Sequence, residues 1–259
     1  MSRNLRSRFI AYIVRKNDEF IHQRPDVRKL TGYAAGAIAL LTLSEFFVKL
    51  SEGTRPALNN SEQLISFISS TSTQTLVVII IDTLLMACLI IFFAGFRQLI
   101  IKARNDLNWI TDLAFGAGLV FVATTLVGDA MDAGAALDAA GSYAANASVI
   151  RALTEGHMLL FGSIGCVLIA LITSTFAYTT FASRAVPRWT AWVGYSVAVT
   201  SLLAVPTVFG GTSASAFGSA AGIGVTLLAT FPFLVWVVAV GIVTLKNQRH
   251  PLTTTTPKK

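Results

Sequence analysis

Thr75–Phe96 reads TLVVIIIDTLLMACLIIFFAGF, an apolar run with a single charge, Asp82, set inside it. About twenty residues of helix cover the ~30 Å hydrocarbon core of a bilayer, so this stretch is long enough to span one with little to spare. Asp82 falls about seven residues from one end, on the order of 10 Å deep. Its helical neighbours are Val78, Ile79, Leu85 and Met86, and none of them pairs with a carboxylate. A charged Asp at that depth costs at least ~2.5 kcal/mol on insertion scales. Asp82 must therefore be neutral, meet a partner on another helix, or face water. Two roles follow: a site for an ion, proton or solute, or an interhelical hydrogen bond that fixes packing.

The rest of the chain matches this reading. Of its 259 residues, 54% are hydrophobic and 13% charged, and the mean hydropathy is +0.66. Soluble domains carry roughly 25% charged residues. Hydropathy places six spans at about 30–50, 75–96, 109–127, 158–182, 189–209 and 223–245. The expected fold is all-α: a polytopic integral membrane protein whose six-helix bundle occupies 30–245. A basic segment, 1–29, precedes it, and a polar tail, 246–259, follows. The first residues, MSRNLRSRFIAYIVRK, lack a long apolar core and a small-residue cleavage site, so no removable signal peptide is expected. Cys88 and Cys166 each lie in an apolar run and form no disulfide framework.

The cationic residues orient the bundle. Of 20 Lys and Arg, only Lys49, Arg55 and Arg151 fall on the side opposite the two termini. This positive-inside bias puts both termini in the cytoplasm and the bundle in the cell membrane. In the N-terminal segment Phe9, Ile10, Ile13, Val14 and Phe20 recur at helical spacing among the arginines. An amphipathic helix lying on anionic lipid is expected there. Nothing further signals nucleic acid.

The same orientation sorts the polar residues by depth. Glu45, Asp82, Asp129, Glu155 and His157 fall in the outer half or at its interface, and Arg151 is a cation available there. The expected site is a pocket opening outward between spans one, two and four. Asp82 forms its floor, joined by Glu45, Arg151, Glu155 and His157. Each has a plainer reading. Glu45 and Lys49 form an i,i+4 pair, as do Arg151 and Glu155, and His157 suits a polar anchor. Asp129 and Asp132 share a helix face but lack the EF-hand pattern, so they read as a solvated helix end or loop. Asp112 is expected to pair with a nearby arginine. One histidine near a span supplies neither bis-histidine haem ligation nor a three-histidine zinc site. Neither a cofactor nor a metal is expected, and no catalytic arrangement is present in a convincing context.

Gly32 and Gly36 form a small-xxx-small spacing that suits close helix approach. Pro206 and Pro232 fall within the last two spans and should bend them or interrupt their hydrogen bonding. Asn59 and Asn146 stand in N-x-S sequons on the outer side. Three function classes remain: a small-solute or ion transporter or channel, a structural subunit docking a membrane-protein partner or a second copy, and a lipid-acting enzyme. The transporter is the reading carried forward, and the enzyme has the least support.

Overall fold

The computed structural model describes residues 26–53, 55–141, 145–213, 216–220 and 222–246, and every element among them is helical. The basic segment up to residue 25 and the tail from residue 247 lie outside the described residues, and with them the expected lipid-binding helix. Six helices are long and apolar enough to cross a membrane: α1 (Val27–Glu52), α2 (Ser61–Ala103), α3 (Asn105–Ala140), α4 (Ala147–Ser183), α5 (Arg188–Gly210) and α6 (Ile223–Lys246).

Three of these helices outrun the apolar stretches that announce them. The segment 51–74, read as a loop, is a loop only to residue 60. Asn60 then caps α2 by accepting a hydrogen bond from the Gln63 N–H. Ser70, Thr71 and Ser72 return their hydroxyls to carbonyls three or four residues back, so these polar residues do not break the helix. Ala103 likewise extends α2 into the segment read as a basic loop. The alanine-rich run after Gly128 stays helical to Ala140, as alanine's propensity favours. The 43 residues of α2 make a rod of about 65 Å, well beyond a ~45 Å bilayer with its headgroups.

The surplus length builds a cap. The start of α2, the end of α3 and the start of α4 enclose a separate small core of Leu58, Leu64, Ile68, Ala135, Ala136 and Ile150. Below the cap the helices form a ring in chain order. Each packs on the next, and α6 closes against α1. Glycines permit that closure. A Cβ on Gly32 would enter the Leu245 side chain, and one on Gly241 would meet Ala35. Gly36, the other half of the expected pair, faces open space.

At the end remote from the cap the ring is filled. Phe92, Phe93 and Phe96 of α2 meet Phe176 of α4 and Phe233 and Trp236 of α6, with ring centroids 5.0–6.4 Å apart. The Trp236 indole N–H donates to the Thr190 carbonyl at 3.1 Å, so even its one polar atom is satisfied.

The contact between α1 and α2 yields a first prediction. A Cβ on Gly95 would strike the hydroxyl of Thr31, which is buried and bonded to the Val27 carbonyl at 2.7 Å. Gly95→Ala should therefore destabilise the fold by about 1–3 kcal/mol, the usual cost of overpacking. Adding Thr31→Ala removes the struck atom and should recover most of the loss. Thermal unfolding of the two variants in detergent tests this; an unrecovered double variant would refute the assignment.

Candidate functional site

A cavity of about 350 Å³ lies at the cap end of the ring, opposite the aromatic cluster. All six helices or their loops reach it. Thr75 and Asp82 come from α2, Asp129 and Asp132 from α3, His157 and Phe161 from α4, Thr226 and Thr230 from α6. Lys49 and Glu52 of α1, with Arg55 just beyond it, stand on the same wall, and Thr212 follows α5.

Two of the helices are irregular where they line it. A π turn interrupts α4 at Leu160–Ile164, with Gly162 off the helical path at φ −73°, ψ −112°. A second π turn, Thr226–Thr230, precedes Pro232 in α6. The proline withholds an N–H and crowds the carbonyl four residues back, and the wider π turn accommodates both. Pro206 acts differently: it begins a 3₁₀ turn, Val205–Gly210, that ends α5. Wide turns of the π kind are enriched where helices carry function.

The charges fall into paired and unpaired sets. The Lys49 ammonium contacts the Glu45 carboxylate at 2.5 Å. It also interacts electrostatically with Asp82 and Asp132. Arg55 donates from Nη2 to both oxygens of Asp132 at 3.1 and 3.2 Å, tying the loop after α1 to α3. Both cations are thus engaged. Asp82 is 5% exposed, and the Glu45 carboxyl lies within hydrogen-bonding reach of it. Two carboxyls that close tolerate each other only with a proton or cation between them. Asp129 is 3% exposed and its Oδ2 has no hydrogen-bond partner. An orphaned buried acceptor costs ~1–3 kcal/mol, or more if charged.

His157 adds a further acceptor. Its Nδ1 lies 3.0 Å from the Gly128 carbonyl, which can only accept, so Nδ1 carries the hydrogen. In the neutral ring Nε2 then keeps its lone pair. Phe161 fixes the ring from the other side, with centroids 4.7 Å apart. Gly128 lets this contact form, since a Cβ there would stand 3.1 Å from the phenyl group. Among the described residues, no three His, Cys, Asp or Glu side chains converge as a metal site.

Of the residues anticipated from sequence, Asp82 and His157 line the cavity, with Glu45 beside Asp82. Arg151 and Glu155 do not; they pair with each other at 2.8 Å on an exposed face. Asp112 pairs with Arg97 at 2.5 Å, away from the cavity. The solvated reading of Asp129 is corrected: the helix continues through it and turns it inward. Asp132, read with Asp129 as a solvated pair, also lines the cavity, and Lys49, Arg55, Thr226 and Thr230 line it without having been singled out for it. The signal for the last two was the threonines one turn apart just before Pro232. Comparison with protein-family models, with curated proteins and with solved structures finds no match for this chain.

Proposed function

We propose that the protein is a transporter in the cell membrane that takes up a small cationic solute from the side opposite its termini. The observation that carries this reading is that the buried carboxyls Asp82 and Asp129 both line one cavity. Acidic groups exceed basic ones there, and both cations already have partners, so the ligand complementary to the site is positive. The positive-inside bias supports cytoplasmic termini and an outward-facing cavity. Among the described residues Lys49, Arg55 and Arg151 are the only Lys or Arg towards the cap end. The aromatic cluster favours a carrier over an open channel, because it fills the ring beneath the cavity.

The reading is tested by access. In a protein with Cys88 and Cys166 replaced by Ala, Thr75→Cys should react with a membrane-impermeant thiol reagent applied to intact cells. A cysteine in place of Leu99, buried beyond the aromatic cluster, should not react. An unreactive Thr75→Cys in folded protein overturns the outward cavity.

A further inference from the structure

We infer that the solute is an organic primary ammonium with a short apolar body, its head held by Asp129 and Asp82 and its body lying against the apolar groups of the same lining. This rests on the cationic-solute reading and adds the chemical class. Three observations lead to it.

The first is the nature of the free acceptors. The carboxyls Asp82 and Asp129 line the cavity, and His157, its Nδ1 committed to Gly128, offers Nε2. These are separate acceptors on neighbouring helices, not a shell around one point, and no metal-type cluster forms among the described residues. An –NH₃⁺ group brings three diverging N–H donors and suits scattered acceptors. A bare divalent ion needs six or more converging oxygens.

The second is size. A cavity of about 350 Å³ has room for roughly ten waters at ~30 Å³ each. A single inorganic ion leaves most of it to water, whereas an amine of about ten non-hydrogen atoms fills it.

The third is the mixed lining. The carboxyls Asp82, Asp129 and Asp132 share it with Val78, Phe161 and Val225. A ligand charged at one end and apolar at the other matches both kinds of group. Aromatic Phe161 also offers a face to a cation's alkyl shell. The protein itself contains a version of this arrangement. The Lys49 side chain is an alkylammonium already among Glu45, Asp82 and Asp132. A free amine would meet the same acids from the cavity side.

The test uses the purified full chain in detergent, with n-butylammonium, tetramethylammonium, butyrate, Na⁺ and Ca²⁺ at matched ionic strength. Binding is read by calorimetry and by protection of the Thr75→Cys thiol. Butylammonium should bind and slow thiol modification at least tenfold. Tetramethylammonium, which has no N–H donors, should bind at least tenfold more weakly, and butyrate should not bind. Asp129→Asn should weaken butylammonium binding at least tenfold; if that variant fails to fold, the protection assay on the otherwise native chain stands in its place. Equal protection by Na⁺ or Ca²⁺, or by tetramethylammonium, overturns the primary-ammonium assignment and leaves the cationic-solute reading intact. Protection by butyrate alone, or an unreactive Thr75→Cys, overturns both.

Discussion

Asp82→Asn should give a protein that folds, unfolds at an equal or higher temperature than the parent, and loses the proposed cation uptake. Three facts set the sign of the stability change. Asp82 is 5% exposed, the Glu45 carboxyl is the charge that acts on it most strongly, and Asn is nearly isosteric. Replacing one of two facing acids removes their mutual repulsion and supplies an N–H₂ donor to Glu45. A gain of about 1 kcal/mol is expected, on the scale of one net hydrogen bond. Binding changes in the opposite sense. A hydrogen bond to a charged group is worth ~1.5–3 kcal/mol, so affinity should fall roughly 10- to 150-fold. Stability and function moving apart is the mark of a site strained for its ligand. The measurements are thermal unfolding in detergent and tracer uptake in proteoliposomes. Lower thermal stability with uptake retained would instead make Asp82 a packing residue and favour a structural subunit.

Trp236→Ala should be the most destabilising single change in the aromatic cluster. The indole is 1% exposed. It touches Phe92, Phe96, Phe176 and Phe233 and closes on Thr190 through its N–H. In a soluble core such a truncation costs ~3–5 kcal/mol. In lipid the transfer part shrinks, because acyl chains are as apolar as the site, and lost packing remains. About 3 kcal/mol is therefore expected, measured by denaturant titration in mixed micelles. Trp236→Phe keeps most of the ring contacts and should cost less than half as much. If Ala and Phe prove equivalent, the cluster is not the element that holds this end together.

The spans were legible because the bilayer imposes a length, and runs such as Thr75–Phe96 advertise it. Their extensions were not. Ser61–Gln74 and Gly128–Ala140 are polar or small, and periodicity alone does not separate a helix lining a wet cavity from a loop in water. The same limit governs the site. Asp82 was detectable, since a charge deep in an apolar run has few explanations. Arg151 sits in the second turn of α4 and Asp129 about three turns inside the end of α3, yet one turns outward to Glu155 and the other inward to the cavity. That azimuth is set by which neighbours α3 and α4 pack against, and a single run of residues does not announce it. Thr226 and Thr230 escaped for a related reason: their span was read for its length and its proline rather than for the face it presents.

The closure of the ring by α6 on α1 also constrains biogenesis. Helices emerge from the ribosome in order, and the seam at Gly32, Ala35 and Gly241 joins the first to the last. Until residue 246 has been synthesised, the wall made by Val225, Thr226 and Thr230 is missing. A nascent chain halted after five helices would thus leave the acid-lined cavity open on that side.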